Sequence, residues 1–516
     1  MTATHEPPAW VADAVFYQVF PDRFARSDRV VAPGPLEDWD VPPTRHGFKG
    51  GDLLGLAERL DHLTELGITA IYLNPIFSSA SNHRYHTFDY MTVDPLLGGD
   101  EAFRELLDAA HARGMKVILD GVFNHASRGF WPFHHVLETG RHSPYRDWFY
   151  FNADALDSGR QLRAYPDESL RDALETEWGD AHAAGIESLE TLGYRAWWDL
   201  PALPKLNTDN PIVREYIFGV AEHWIRFGAD GWRLDVAGEI EDPEFWREFR
   251  RRVQAVNPDA YIVAEIWREQ PDVLAGDRFD TLMNYPLAEA IVSFIGGSRL
   301  DLDVVAQHAE LARHVQPQDA PAFAARLERA LTVYRPATTR AMLNLLDSHD
   351  TPRLLTMVGG DRATVLLCWL TVMTLPGAPC IYYGDEIGLP GEMDPDCRRA
   401  FPWDRATWDE ETFSWLKALV ALRHEAVVLR HGETTIVAAD GMAVAYLRSD
   451  AADAILVALN AGDEATELRV ALPDHEGRTI EPLPLRGASP AKPARVASGA
   501  ASLELPPRTG VAYRVG

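Results

Sequence analysis

Eight short apolar runs recur along the first 430 residues, with helix-like stretches between them. These candidate strands are AVFYQVF (14–20), ITAIYLN (68–74), KVILDGVFN (116–124), GWRLDVA (231–237), YIVAEIW (261–267), TLMNY (281–285), AMLNLLD (341–347) and PCIYYGD (379–385). Several are apolar almost throughout, as strands covered on both faces must be. Eight such strands alternating with helices predict an α/β fold, a (β/α)8 TIM barrel whose active site lies at the carboxyl ends of its strands.

An insertion and a change of periodicity divide the chain. Between the third candidate strand and a helix start at Asn210 lie roughly 80 residues, where barrel connections normally have about 2–6. After residue 430 the helical pattern gives way to alternating runs such as AVAYLRS and AILVALN, separated by turn residues. We therefore expect a barrel in two parts (1–124 and 206–430), an inserted subdomain (125–205) and a C-terminal antiparallel β-sandwich (431–516).

The charge balance restricts the class of partner. The chain has 49 basic and 77 acidic residues and a net charge of −28. This balance disfavours nucleic acid and anionic membranes as partners. The N-terminus has no basic start before a long apolar run, and no stretch approaches about 18 uninterrupted apolar residues. We predict a cytoplasmic protein with a small neutral or cationic ligand, and the sequence leaves its oligomeric state open.

Three carboxyls stand at the ends of candidate strands. Asp235 ends GWRLD, Glu265 follows YIVA, and Asp350 ends the run AMLNLLDSHD. Because the carboxyl ends of barrel strands meet at one rim, we expect these side chains to lie together. Carboxyls in such a place do acid/base and nucleophilic chemistry.

The neighbours of two of these carboxyls indicate different charge states. Arg233 and Asp235 are two apart on a strand and point to the same side. An adjacent guanidinium lowers the pKa of a carboxyl, so we expect Asp235 to be ionised and nucleophilic, with a structural ion pair as the alternative. Glu265 precedes Ile266 and Trp267, and a partly dry site would raise its pKa and let it hold a proton. An exposed rim glutamate is the alternative there.

Two further readings of the rim remain open at this point. Asp120, His125, His349 and Asp350 lie at predicted strand ends and would also suit a catalytic metal, although no close zinc spacing such as HExxH is present. Aromatic residues also lie in or near predicted rim loops, where their rings would stack on sugar faces or belong to the core. They are Tyr85, Trp131, Trp197, Trp198, Trp267 and Trp403.

Taken in order, the motifs resemble a known family. DGVFNH (120–125), GWRLD, the glutamate of IVAEIW and LLDSHD are similar to the four signature regions of the α-amylase family, glycoside hydrolase family 13. Within it, LPKLNT (203–208) and VAGE (236–239) resemble the neopullulanase, cyclomaltodextrinase and maltogenic amylase group. That group carries an extra N-terminal sandwich domain. The first candidate strand begins near residue 14, so we expect this chain to lack that domain.

The resemblance implies a reaction. It implies a retaining hydrolase of α-1,4 links, with α-1,6 links as a further candidate, in maltooligosaccharides, cyclodextrins or pullulan. Asp235 would form a covalent glycosyl intermediate, and Glu265 would act as the acid and then the base. Asp350 would hold sugar hydroxyls and help to distort the ring. A 4-α-glucanotransferase or another transglycosylase of the family would share all three carboxyls. A non-catalytic barrel is a more distant alternative, because such relatives typically lose them.

The resemblance also implies a binding set, which consists of Tyr85, His125, Arg233, His349, Asp394 and Arg398. Both histidines would bond hydroxyls of the sugar at the cleavage point, and Tyr85 would stack on it. Asp394 and Arg398 would bind the next sugar on the non-reducing side. The resemblance requires no cofactor. Calcium occurs in some relatives, and its candidate ligands here are Asp28, Asp52 and Asn124.

Overall fold

Eight parallel strands form a barrel in the computed structural model, which describes residues 5–158, 162–166, 188–484 and 491–516. The strands are β1 Phe16–Val19, β2 Ala70–Leu73, β3 Lys116–Gly121, β4 Gly231–Leu234, β5 Tyr261–Ala264, β6 Thr281–Leu282, β7 Leu343–Asn344 and β8 Ala378–Tyr382. They pair in the order β6-β5-β4-β3-β2-β1-β8-β7. The predicted barrel is confirmed, and each strand lies in or next to one of the eight apolar runs.

The barrel closes between its two shortest strands, β6 and β7. A parallel bridge joins Met283 to Leu343, and the Asn284 backbone N–H donates to the Leu343 carbonyl at 2.8 Å. The Asn284 side chain also donates from Nδ2 to Asn344 Oδ1 at 2.8 Å. We call this β6–β7 junction the seam.

The barrel interior is apolar and its amino-terminal end is covered. Alternate strand positions supply the inward-facing side chains, which include Phe16, Ala70, Tyr72, Ile118, Tyr261, Val263, Met283, Leu343, Ala378 and Cys380. Below them Trp10, on the short helix Ala9–Asp13, packs 5.8 Å from Phe16 and 6.0 Å from Tyr261, measured between ring centroids. With one end covered and the interior filled, the carboxyl ends of the strands are left to hold a site.

Helices cover the outside of the barrel. Those between and after the strands are Pro21–Phe24, Leu53–Glu58, Leu60–Leu66, Gly99–Ala112, Pro211–Phe227, Pro243–Val256, Tyr285–Ile291, Leu302–Val305, Ala309–His314, Ala320–Thr332, Pro336–Ala341, Leu354–Met357, Arg362–Thr374, Glu410–Glu425 and Val427–His431. Between β5 and β6 there is only a 3-10 turn, Pro271–Leu274. Asn210 caps its helix as expected, because its side chain accepts from the Ile212 N–H at 2.9 Å. Within the described ranges, no helix has the length and apolar character needed to cross a lipid bilayer.

Two excursions leave the barrel on the side of the strand carboxyl ends. A hairpin of Phe77–Ser79 and Thr87–Val93 follows β2. The long insertion after β3 contains the helices Trp131–Thr139, Ala153–Asp157 and Ser188–Thr191. An antiparallel bridge joins His125 to Lys205, so the insertion leaves and returns at one place. The domain limits at residues 124, 205 and 430 themselves stay a prediction.

The C-terminal region forms the predicted antiparallel sandwich. Its strands are β9 Glu433–Asp440, β10 Ala443–Ser449, β11 Ala454–Asn460, β12 Thr466–Ala471, β13 Thr479–Pro482, β14 Ala494–Arg495, β15 Ala500–Leu505 and β16 Thr509–Val515. Six form one sheet in the order β9-β10-β11-β16-β13-β14, and β12 pairs with β15. On β10, Ala445 and Leu447 face the sandwich core, whereas Val444 and Tyr446 join the barrel core. This strand is therefore covered on both faces.

Candidate active site

The structure places the three predicted carboxyls beyond the carboxyl ends of three barrel strands. Asp235 directly follows β4, Glu265 directly follows β5, and Asp350 lies in the segment after β7. Asp235 and Glu265 are 8% and 6% exposed, whereas the Asp350 side chain is 32% exposed. Two carboxyls therefore lie in the floor of the site and the third lies nearer to solvent.

Arg233 connects the floor of the site. Its Nη1 donates to Asp120 Oδ1 at 2.9 Å and to Asp235 Oδ1 at 3.0 Å. Its Nη2 lies 2.9 Å from Glu265 Oε2. The side chain is fully buried, so these charges interact with little screening by water. One guanidinium thus contacts carboxyls from three neighbouring strands.

A strained turn directs a backbone donor at Glu265. The Val236 N–H donates to Glu265 Oε2 at 2.9 Å, and the Trp267 indole donates to Oε1 at 3.1 Å. Val236 has φ of 38°, a left-handed conformation that β-branched residues rarely adopt. Such strain is typical of sites in which the backbone must place a group exactly where chemistry needs it. Both contacts fix the Glu265 carboxyl beside Asp235.

The pKa of Asp235 depends on more neighbours than Arg233. Burial raises its pKa well above the usual value, and the nearby carboxyls of Glu265, Asp120 and Asp350 raise it further. Arg233 opposes these effects but does not outweigh them. Arg233 lowers the pKa of Asp235, as expected, and burial and the neighbouring carboxyls act against it. The carboxyls share one environment, and their protons belong to the group rather than to a single residue.

His349 and Tyr85 link Asp350 to the floor. His349 Nε2 lies 2.6 Å from the Tyr85 hydroxyl oxygen and 3.1 Å from Asp350 Oδ2. The Tyr85 hydroxyl donates to Asp120 Oδ2 at 2.8 Å, and its ring lies parallel to that of His349 at 5.4 Å. Since Asp120 also contacts Arg233, one network runs from Asp350 to Asp235 and Glu265.

His349 is a neutral imidazole in this network. Burial lowers its pKa well below the usual value, and the charges of Arg398 and Arg233 lower it further. Gln18 Nε2 lies 2.8 Å from Nδ1 and donates to it, which leaves the proton on Nε2. The Nε2–H is therefore directed at the oxygens of Tyr85 and Asp350.

Asp394 and Arg398 adjoin Asp350. Arg398 Nη1 lies 3.0 Å from Asp394 Oδ1, and its Nη2 lies 3.4 Å from Asp350 Oδ1. Its Nε donates to the His349 carbonyl at 2.8 Å. Arg398 therefore contacts both Asp394 and the third carboxyl, Asp350.

His125 begins an aromatic stack that reaches solvent. Its ring lies 4.8 Å from that of Trp197, at 11°, and Trp197 lies 4.6 Å from Trp198, at 15°. His125 is buried, which lowers its pKa to about 3, and its Nε2 has no hydrogen-bond partner among the described residues. Trp198 is 45% exposed. The stack therefore has the unpaired Nε2 of His125 at its buried end and the apolar face of Trp198 at its exposed end.

Several contact residues carried no role in the sequence analysis. Gln18 and Asn74 hold His349 and Tyr85, and the Tyr72 hydroxyl donates to Asp120 Oδ2 at 2.8 Å. Each is a polar group within or at the end of an apolar strand run. That is the same signal that identified Arg233, and it was present in the sequence.

Two of the three candidate calcium ligands, Asp52 and Asp28, do not fit a calcium site. Asp52 Oδ1 accepts from the Gly55 N–H and Oδ2 from the Ser27 N–H, each at 2.8 Å, so this carboxyl caps a helix. Asp28 is exposed. In the described portions of the chain, no three His, Cys, Asp or Glu side chains are grouped as metal ligands. This finding also gives no support to a catalytic metal at Asp120, His125, His349 and Asp350.

A closed (β/α)8 barrel with clustered carboxyls at its carboxyl end defines a class of enzymes that work by acid/base and nucleophilic chemistry. The family model for the α-amylase catalytic domain matches residues 18–425. The chain belongs to the α-amylase family of glycoside hydrolases.

Relatives that this chain matches over most of their length agree with this assignment. A cyclomaltodextrinase from a Bacillus species is 41% identical over 476 residues, which cover 92% of this chain and 77% of that protein. Neopullulanase 2 of Thermoactinomyces vulgaris is also 41% identical, over 92% of this chain and 73% of that protein. The solved structure of the Nostoc punctiforme debranching enzyme has a TM-score of 0.85 and 43% identity, and covers 99% of both chains.

Proposed function

We propose that this protein is a retaining α-glucoside hydrolase that cleaves α-1,4 links of maltooligosaccharides, cyclodextrins or pullulan. The observation that supports this best is the shared guanidinium, because Arg233 lies 3.0 Å from Asp235 and 2.9 Å from Glu265. Two carboxyls that contact one guanidinium are close neighbours. Retaining glycosidases need a carboxyl separation of about 5 Å, whereas inverting ones need about 6.5 Å or more to admit a water molecule.

The proposed mechanism has two steps. Asp235 attacks the anomeric carbon while Glu265 gives its proton to the leaving oxygen, which forms a covalent glycosyl-enzyme. Glu265 then removes a proton from water, and the hydroxide displaces Asp235 with net retention. The pair must start with one proton between them. The reaction requires that proton to lie on Glu265 and Asp235 to be ionised, which the ion pair of Asp235 with Arg233 favours.

The remaining contacts suit a sugar beside the two carboxyls. Asp350 is partly exposed and accepts hydroxyl donors, and the buried Nε2 of His125 has no hydrogen-bond partner among the described residues. Arg398 and Asp394 would bind the next sugar along the chain. The net charge of −28 agrees with a neutral oligosaccharide as the substrate. A cytoplasmic location stays a prediction.

α-1,6 links are a second candidate for the bond that is cleaved. The neopullulanase and debranching enzyme among the relatives favour this addition. A 4-α-glucanotransferase would use the same three carboxyls, and its products would be longer chains rather than free reducing ends.

The test is to incubate the protein with maltotriose, β-cyclodextrin, pullulan and soluble starch. Products are separated by chromatography and the first anomer formed is followed by NMR. Short α-configured products support a retaining hydrolase, β-configured first products contradict retention, and longer chains support the transferase. Cleavage of pullulan at its α-1,6 links would establish the second bond type.

Two variants test the roles of the carboxyls. Asp235→Asn should lose about 10⁴-fold or more in kcat, since it lacks the nucleophile. Glu265→Ala should lose about 10²–10⁴-fold on maltotriose but much less on α-maltosyl fluoride, whose leaving group needs no proton. The exposed Asp474→Asn is the matched control and should be unchanged. Retention of more than a few per cent of activity by Asp235→Asn would refute the assignment.

A further inference from the structure

Two buried aspartates beyond β7 and β8 each have an oxygen with no donor. Asp347 is 3% exposed and Asp385 is 6% exposed, and their carboxyls lie within hydrogen-bonding reach of each other. Asp347 Oδ2 accepts from the Leu354 N–H, and Asp385 Oδ1 accepts from Arg353 Nη1 at 3.1 Å. Across the described residues, Asp347 Oδ1 and Asp385 Oδ2 find no partner. Buried oxygens that lack a donor are costly and require an explanation.

A single proton accounts for both oxygens. Arg353 is fully buried and supplies one positive charge, so two ionised carboxyls would leave a net negative charge inside the protein. A proton held between the two carboxyls gives each orphaned oxygen a partner and makes the group neutral. We propose that Asp347 and Asp385 share one proton, and that with Arg353 they form a lock that positions the segment carrying His349 and Asp350.

The lock is connected directly to the candidate active site. Asp347 and Arg353 flank the segment on either side of His349 and Asp350. Arg353 Nε donates to the Cys397 carbonyl at 2.9 Å, and the Cys397 thiol lies 3.3 Å from the His349 carbonyl oxygen, to which it donates. A shift of Arg353 would therefore move the residues that support Asp350. These contacts make the lock a set of positioning residues.

Other titratable groups near the pair do not supply the missing proton. Those that face it are Tyr17, Cys380, Glu386 and, beside a small cavity that Asp347 also lines, Glu289 and Tyr285. Burial raises the pKa of the Tyr285 hydroxyl, which makes no hydrogen bond to either aspartate. Glu386 accepts from Tyr17 and from the Gly384 N–H, so it adds a negative charge and no donor. Glu289 is paired with Arg268 at 2.9 Å. Burial raises the pKa of the Cys380 thiol, which stays neutral.

The direction of the pH effect follows from burial. Burial raises the pKa of Asp347 and of Asp385, and the Asp347 charge raises that of Asp385 further. The folded protein therefore retains this proton where an unfolded aspartate, with pKa about 3.9, would lose it. Stability from the lock is complete below that value and declines as pH rises through the folded pKa. Above it, two adjacent negative charges repel and the lock loosens.

The activity test uses amide variants and rests on the proposed function. Asp347→Asn and Asp385→Asn each place a permanent N–H donor where the shared proton lay, and the remaining carboxylate balances Arg353. We expect the high-pH limb of the kcat/KM profile on maltotriose to move up by about one pH unit or more in both variants. The exposed Asp474→Asn should keep the wild-type profile. An unchanged high-pH limb in both amide variants would overturn the proposal.

An infrared measurement tests the lock without turnover. The protonated-carboxyl band of wild-type protein at neutral pH includes the proton proposed on Glu265, so its intensity should fall without vanishing in Asp347→Asn and Asp385→Asn and stay unchanged in Asp474→Asn. A spectrum that neither amide substitution changes would overturn the shared proton. If neither variant folds, the band is titrated in Glu265→Ala, which lacks the catalytic proton: its absence at neutral pH overturns the proposal, and its loss over the pH range where wild-type activity declines supports it. Failure to cleave any α-glucan would count against the proposed function alone.

Discussion

Asp120 touches no proposed reacting atom, yet it governs the charge of the site. Its carboxylate is one of the charges that raise the pKa of Asp235. Asp120→Asn removes that charge while an amide oxygen still accepts from Tyr72 and Tyr85. The pKa of Asp235 should then fall, so Asp235 is ionised at lower pH. We expect the acid limb of kcat/KM to shift to lower pH.

A pH–rate profile of Asp120→Asn beside the wild type measures this shift. The exposed Asp474→Asn serves as the control. An acid limb that stays in place or moves to higher pH would mean that Asp120 acts on Arg233 or Tyr85 rather than on Asp235.

Trp198 offers an apolar face at the mouth of the site. It is 45% exposed and stacks on Trp197, which stacks on His125. Trp198→Ala should raise KM for maltohexaose about three- to tenfold, since a stacked ring contributes about 0.5–1.5 kcal/mol. Activity on a substrate that spans only the cleaved bond should change little. Equal losses on long and short substrates would indicate a structural role. Trp131, also exposed, is the matched control.

The sequence predicted which residues meet but not how their charges combine. Arg233 and Asp235 lie two apart on one strand, so their contact follows from strand geometry. Glu265 and Asp120 reach the same guanidinium from neighbouring strands, and that arrangement depends on strand register. The pKa of Asp235 is a sum over these neighbours and over burial. The sequence of one strand therefore does not determine the pKa of Asp235.

At the scale of elements, one buried arginine joins the barrel to the sandwich. Arg448 on β10 donates from Nη1 to the Thr374 and Leu429 carbonyls at 2.6 and 2.7 Å, and from Nη2 to the Gly432 carbonyl at 2.8 Å. Two of these carbonyls belong to the last turns of helices. Arg448→Met leaves three buried acceptors without a donor and should cost roughly 3 kcal/mol or more.

Thermal unfolding checks the Arg448 prediction. Arg514→Met is a suitable control, because Arg514 is half-exposed and its pairing with Asp453 at 3.3 Å contributes about 1 kcal/mol or less. If both variants unfold at the same temperature, water replaces Arg448 as the donor to the three carbonyls, and Arg448 does not stabilise the contact between barrel and sandwich.

Strand positions were predictable, whereas the internal structure of the insertion was not. Each barrel strand is buried on both faces and therefore appears as an apolar run, even β6 and β7 with two paired residues each. The insertion has aromatic contacts but little regular periodicity, and its ends are held by isolated bridges such as His125–Lys205. Patterns of period 2 or 3.6 carry no signal for such a segment.

At the scale of the whole molecule, the net charge should not change the rate at which a neutral substrate reaches the site. The chain carries −28, but a maltooligosaccharide is neutral, so no long-range attraction or repulsion acts on its approach. We expect kcat/KM on maltotriose to change less than about twofold between about 0.05 and 0.5 M salt. Assays across this range at constant pH measure it. A steep salt dependence would indicate that ion pairs such as Arg398–Asp394 open during binding.

The seam links closure of the barrel to the distance between Glu265 and Asp350. Glu265 lies on one side of it and Asp350 on the other, while Asp235 and Glu265 lie on the same side. Two hydrogen bonds of Asn284 cross the junction. Widening there would separate Glu265, the proposed acid, from Asp350, the carboxyl proposed to hold the sugar, and would leave the spacing between Glu265 and Asp235 unchanged. Heat would then abolish activity before it abolishes the fold, an order that parallel measurements of turnover and circular dichroism reveal.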